Sequence, residues 1–380
     1  MNKEPSNSAT PQMTRPFVGA PRIDSLDFLR GLYLFLAGMQ HFAGYLNTAG
    51  LQLDWGASML FWLLTPSGDQ VFLALAAFNL AKRSRDDFRS VYLPKVSVYA
   101  SLFVFFFFEG FFRSFDLGGA LTWSALLTWM VILILIASLY RFTGVRGVVA
   151  LFVLQCGFWL LPFSEWNAAL TVYVRRTLFL PSFFYDAALD LFVGSGCVGF
   201  LLGYWYAHCR RPGAKWLFAP FALGLLMQIP FAIAGTFWEL SPTWVWLGEY
   251  YVAEQFTGIV SIWGIELALI AFALGMGDIG WPLRAPIINW AGRYSLLIFA
   301  FHQTFFVRVL LPVRFHFGEL LGYPPTARLI ELATFVLITF FFCWLLLRSG
   351  LLLLMQRQGA GTSTIALRTG TEASSTSTSP

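Results

Sequence analysis

Between Glu331 and Arg348 the chain reads Leu332-Ala333-Thr334-Phe335-Val336-Leu337-Ile338-Thr339-Phe340-Phe341-Phe342-Cys343-Trp344-Leu345-Leu346-Leu347, with no charge inside it. A helix over residues 328–348 is about 30 Å long, which matches the hydrocarbon core of a bilayer. The rest of the sequence repeats this theme. Of 380 residues, 57% are hydrophobic and only 12% charged, roughly half the charge of a soluble domain. With 41 Phe and 15 Trp, that much apolar surface argues against a soluble enzyme, a disordered chain or a repeat solenoid. The pattern predicts an all-α polytopic transmembrane bundle.

Ten stretches are long and apolar enough to span: roughly 27–47, 57–81, 94–112, 119–140, 147–163, 187–208, 216–237, 251–275, 294–313 and 328–348. Gly, Pro and charged residues punctuate them. With a cytoplasmic N-terminus, only Arg113, Arg175, Arg176, Arg308, Arg314 and Arg328 of the 25 Lys and Arg fall in outer segments. This bias predicts both termini on the cytoplasmic side and an even number of spans. Residues 1–21 are polar and rich in proline, so no removable signal peptide is expected and the first span serves as the anchor. Residues 22–350 form the membrane domain. Residues 351–380, mostly Gly, Ser and Thr towards the end, are expected to be a disordered cytoplasmic tail.

Two spans depart from the simple pattern. Pro66, Gly68, Asp69 and Gln70 interrupt the second. Either that helix is broken, or it starts after Gly68 and a re-entrant segment precedes it, since freed backbone groups in a membrane need partners. The sixth carries Gly194, Ser195, Gly196, Gly199 and Gly203. That small-residue stripe reads as a close helix contact, because glycines flanking Ser195 directly do not make a nucleophile elbow. Cys156, Cys197, Cys209 and Cys343 stand singly, without metal spacing, and read as apolar filler. No metal, bound cofactor or nucleic-acid partner is expected.

Chemistry in such a chain is sought at ionisable residues within spans. Arg30 and His41 are eleven positions apart, so an ideal helix puts them on one face within roughly 20° and about 16 Å apart along its axis. Each alone has a structural explanation, a snorkelling interfacial arginine and a histidine bonded between helices. A shared face favours a polar slot. His302 enters the ninth span to a depth of about 12 Å, comparable to His41. His208 and His316 fall at span ends. Among the acids, Glu109 has Arg113 four residues on, Glu254 lies near the outer surface, Glu266 is deep, and Asp69 sits in the interrupted second span. The stretch from Lys82 to Arg89 reads as a basic cytoplasmic loop. It suits anionic lipid headgroups or the phosphates of a cytosolic donor.

The run Arg22-Ile23-Asp24-Ser25-Leu26-Asp27-Phe28-Leu29-Arg30-Gly31, followed by His41, resembles the opening of the acyltransferase-3 superfamily. Residues 68–78 resemble its second-span run, Arg83 to Pro94 its basic loop, and Gly292-Arg293-Tyr294-Ser295 with His302 its late motif. The resemblance covers residues 22–350. The glucan-biosynthesis-protein-C type and the heparan-glucosaminide N-acetyltransferase type are both near. Where the family has Ser-Gly in the second span, this chain has Ala76-Ala77, which puts acyl-site construction or activity in question. The resemblance implies an enzyme of a bacterial cytoplasmic (inner) membrane. Such an enzyme moves an acetyl or succinyl group from cytosolic acyl-CoA to a hydroxyl of an extracytoplasmic glycan or polysaccharide. It implies His41 and His302 as catalytic residues, Arg30, Arg83 and Arg89 as donor-binding residues, and support from Asp27, Asp69 and Ser295. Two other classes remain open. A transporter or flippase of a glycan or lipid precursor also suits interrupted spans and deep ionisable groups, although the two halves show no obvious inverted repeat. An inactive scaffold is compatible with Ala76-Ala77.

Overall fold

A computed structural model of the chain describes residues 23–48, 68–82, 85–114, 125–160, 189–208, 213–229, 256–312 and 327–349. Among these it is all-helical, without a strand. The helices are α1 (Asp24–Thr48), α2 (Gly68–Ala81), α3 (Arg85–Ser114), α4 (Ala125–Thr143), α5 (Val145–Leu160) and α6 (Leu189–His208). They continue as α7 (Ala214–Leu226), α8 (Phe256–Asp278), α9 (Pro286–Arg293), α10 (Ser295–Phe305) and α11 (Ala327–Arg348). A π-helical turn, Phe306–Leu310, extends α10. Each of the ten expected stretches contains helix.

Four helices are long and apolar enough to cross a membrane, through the windows Val91–Phe108, Leu126–Thr143, Val260–Asp278 and Ile330–Arg348. Shorter apolar helical stretches are Gln70–Ala81, Val145–Gly157 and Lys215–Leu226. Much apolar surface faces outward, including Leu93, Val104 and Phe108 on α3, Leu154 on α5 and Phe341 on α11. An aqueous surface seldom carries an apolar patch of this extent. Lipid solvates it without penalty.

Helix α2 is enclosed by other described helices. Every residue from Val71 to Phe78 except Ala76 is buried, as an all-round apolar helix requires. It contacts α1, α4, α6 and α8. Along α6 the fit depends on glycine. A Cβ on Gly199 would lie 2.1 Å from the Ala74 carbonyl oxygen, and one on Gly203 2.5 Å from that of Phe78. The small-residue stripe of the sixth span is thus a packing surface. Cys197 and Cys343 are buried within the hydrophobic core.

The structure settles where one helix starts and corrects two local expectations. The second helix begins at Gly68, and the preceding residues 49–67 lie outside the described set. The basic stretch is not a free loop, because Arg85 to Arg89 already belong to α3. Asp86 stands in that first turn, where a carboxylate complements the helix dipole. Finally, residues 286–293, expected as a loop, form α9, with Pro286 at its first position and Arg293 in its last turn. Proline at N1 and a cation at the C-terminus are favourable at those ends. The expected tails, 1–21 and 351–380, lie outside the described residues.

Candidate functional site

The site is built where the start of α1 meets the segment 283–293. Ser25 Oγ accepts from the Leu283 amide at 3.1 Å. Asn289 Nδ2 donates to the Asp24 carbonyl at 2.8 Å, while its Oδ1 accepts from the Ala285 amide that opens α9. Arg284 Nη2 lies 3.0 Å from Asp24 Oδ2, and Arg293 Nη2 lies 3.5 Å from Asp24 Oδ1. The backbones themselves nearly touch. A Cβ on Gly31 would stand 1.9 Å from the Ile288 carbonyl oxygen, and one on Gly292 1.7 Å from that of Asp27. Only glycine at both positions permits this crossing. Two segments about 260 residues apart, each singled out in the sequence, therefore form one unit.

Asp27 is the centre of that unit. Its side chain is 1% exposed and lies 3.2 Å from Arg30 Nη1 and 3.6 Å from Arg293 Nε. A buried carboxylate is tolerated when cations and hydrogen bonds replace its water. Arg30 also donates from Nη2 to the Leu75 carbonyl of α2 at 3.0 Å. Asn79 Nδ2 donates to that same carbonyl at 3.1 Å. Arg30, with 13% of its side chain exposed, is held inside the bundle and does not snorkel outward. The carbonyl it binds directly precedes half-buried Ala76 and buried Ala77.

His302 of α10 is 2% exposed. Its Nδ1 is 2.6 Å from the Phe299 carbonyl. A carbonyl can only accept, so Nδ1 carries the proton, and in the neutral ring Nε2 holds the lone pair. Phe299 presents its ring edge-on at 4.9 Å. Phe42 of α1 is 6.1 Å from the imidazole and stacks on Phe306 at 4.0 Å. His302 thus packs against Phe42, the residue after His41 on α1. The π-helical turn begins four residues on, at Phe306, a feature common at functional sites. The main chain of His41 is helical, but its side chain lies outside the described residues, as do those of Asp69, Glu109 and Arg83. Ser295 opens α10 and is half-buried. Arg89 is exposed on α3, 3.7 Å from Asp86. The structure brings Asp27 and Arg30 together, with His302 about four turns along α1, and leaves Arg89 apart from them.

One polar cluster was only partly visible in the sequence. Glu266 of α8 and Ser195 of α6 are fully buried, and Trp263 is nearly so. A Cβ on Gly194 would fall 2.5 Å from Trp263 Nε1, so the missing side chain makes room for the indole. Phe152 of α5 packs on the other side at 5.2 Å. Ser195 approaches Glu266, yet Ser195 Oγ, Trp263 Nε1 and both Glu266 oxygens make no hydrogen bond of good geometry. Trp263 and Glu266 are three apart on α8, so their shared face was readable. That α6 would supply a serine there was not.

No group of three or more His, Cys, Asp or Glu side chains among the described residues has the geometry to hold a metal ion. No family model matches the chain, and neither a curated protein nor a solved structure matches it.

Proposed function

We propose that the chain is an integral membrane O-acyltransferase of about ten spans with both termini cytoplasmic. It would move an acetyl or succinyl group from cytosolic acyl-CoA to a hydroxyl of an extracytoplasmic glycan. The observation that carries this reading is the junction of the two distant motifs. Asp27 and Gly31 lock onto Gly292 and Arg293, Asp27 also holds Arg30, and the helix that follows brings His302 against Phe42, the neighbour of His41.

The chemistry follows from these positions. Arg30 is held by Asp27 and the Leu75 carbonyl, so its charge is fixed at the cytoplasmic end, where donor phosphates enter. Arg83 and Arg89 add positive charge there. Asp69 and Ser295 stay supporting candidates at the first turns of α2 and α10. The donor's thin arm runs along α1 to the imidazoles. A histidine Nε2 takes the proton of the acceptor hydroxyl as its oxygen attacks the thioester carbon. The tetrahedral intermediate collapses, the C–S bond breaks, and the leaving thiolate receives the proton from the imidazolium. Covalent carriage of the acyl group on His41 is the two-step form of the same transfer.

Purified protein supplied with labelled acetyl-CoA and succinyl-CoA tests this directly, by transfer to glycan or by thioester hydrolysis. His302→Ala and His41→Ala should each abolish turnover while eluting as folded protein on size exclusion. A His302→Ala variant at the wild-type rate refutes the role assigned to His302. The buried Glu266 cluster favours one rival, a carrier with a polar site inside the bundle. Substrate flux across a vesicle without acyl transfer would decide for that carrier.

A further inference from the structure

Arg85, at the start of α3, and Arg141 and Arg146, at the turn between α4 and α5, gather without an acid paired to them among the described side chains, the neighbouring Asp86 pairing with Arg89. Arg85 opens α3, and its Nη2 donates to the carbonyls of Arg141 and Phe142, at 3.4 and 2.7 Å. Those carbonyls close α4, so Arg85 caps a helix end that carries partial negative charge. The chain then reverses at Gly144, whose φ of +75° is a conformation that glycine adopts freely. Arg146 follows, exposed in the first turn of α5. Arg141 lies over the Phe142 ring at 5.7 Å. Among the described side chains no carboxylate pairs with Arg85, Arg141 or Arg146. The buried Nε of Arg85 is also without an acceptor. Three guanidinium groups around one turn repel each other, so an anion placed among them stabilises the arrangement.

The surrounding surface identifies the anion. Phe142, in the midst of the arginines, is 66% exposed. Below it the outward faces are apolar, with Val149, Val153 and Leu154 on α5, Leu135 on α4 and Leu93 on α3. A soluble anion gains nothing from such a skirt. A lipid uses both parts, with its headgroup at the arginines and its chains along the apolar faces. We propose that Arg85, Arg141 and Arg146 bind the phosphate of an anionic phospholipid whose acyl chains lie against α3, α4 and α5. A similar pairing recurs at the end of α11, where Arg348 lies over Trp344 at 5.1 Å. The antiparallel packing of α11 on α1, through Phe35–Phe340 and Gly38–Val336, brings that end to the level of the start of α1. Cations beside aromatic rings at one level of a bundle are the signature of a headgroup boundary.

The binding is independent of acyl transfer and is measured without it. Native mass spectrometry of the purified full-length chain compares retained phosphatidylglycerol with retained phosphatidylcholine. The test variant is R141Q/R146Q, because neither side chain donates a hydrogen bond to a described residue; size exclusion verifies its fold. Wild-type protein should prefer phosphatidylglycerol, and R141Q/R146Q should lower that preference about 25-fold, roughly fivefold per arginine, the equivalent of about 1 kcal/mol each. R141K/R146K should keep most of it. An unchanged preference in folded R141Q/R146Q overturns the proposal. So does displacement of the lipid from wild-type protein by millimolar inorganic pyrophosphate, which would assign the arginines to a soluble phosphate ligand.

Discussion

Replacing Gly292 by alanine puts one methyl group into the tightest backbone crossing of the site. The new Cβ would stand 1.7 Å from the Asp27 carbonyl oxygen, 2.7 Å from its carbon and 2.9 Å from the Gly31 nitrogen. All three neighbours are backbone, so no side chain can rotate away. The Cβ–oxygen contact must open to about 3 Å or more, so α9 must withdraw from α1 by more than about 1 Å. The Asn289 bond to the Asp24 carbonyl starts at 2.8 Å and the Arg293–Asp27 pair at 3.6 Å; at that displacement both fall outside bonding range. Overpacking costs about 1–3 kcal/mol, and a lost hydrogen bond about 0.5–1.5 kcal/mol. Alanine returns about 1 kcal/mol through its higher helix propensity. The net expectation is a loss of about 1–3 kcal/mol. Gly157→Ala on α5 is the control, because a Cβ there meets nothing within 4 Å and only the propensity gain applies. Thermal unfolding followed by tryptophan fluorescence compares the two in the same detergent. Gly292→Ala should melt below wild type, and Gly157→Ala at or above it. If Gly292→Ala melts with the control, α1 and α9 do not cross as closely as described.

Two further outcomes follow from the same side chains. Asp27→Asn keeps the shape of a 1% exposed group but removes the charge shared by Arg30 and Arg293. It should cost about 1–3 kcal/mol, discounted from the value for a fully buried pair because Arg293 is 47% exposed; an unchanged melting temperature would show the network to be idle. Glu266→Gln removes an ionisable group whose two oxygens have no hydrogen-bond partner, so it should melt at or above wild type. A marked loss of stability would mean that the carboxyl holds a ligand or partner in the folded protein.

The helical stretches were legible because long uninterrupted apolar runs read as helix. A run such as Leu332–Leu347 is long and apolar enough to span, and its helix, Ala327–Arg348, ends at the arginine that ends the run. The Gly199 and Gly203 contacts were legible for a similar reason, since small residues four apart mark a close approach. What stayed hidden is information that a single strand of sequence does not carry. Arg30 on its own reads as an interfacial cation. Its true partners are Asp27, three residues back, and a main-chain carbonyl of α2. Backbone carbonyls have no sequence signature, so that bond was beyond reading. Residues 286–293 looked like a loop because their apolar positions number too few for a span. They form a short amphipathic helix with exposed Ile287 and buried Ala291. Arg85 gave the opposite error, since a basic run suggests a solvated loop while the residue caps α4.

The proposed catalytic depth is set by α1 acting as a ruler. From Arg30 to Phe42 the helix rises about 18 Å. Its lower end is pinned by α9 through the Gly31–Gly292 crossing, and its upper end by α10 through the contact of Phe42 with His302 and Phe306. Because α9 and α10 are consecutive, joined only through Tyr294, the two pins are not independent. A change in the lower crossing is transmitted to the imidazole through α10 as well as through α1. Gly292→Ala should therefore reduce the proposed acyl transfer by more than its stability loss accounts for at a temperature where the variant remains folded. Full activity in folded Gly292→Ala would show that the α1–α9 junction holds the bundle together without setting the position of His302.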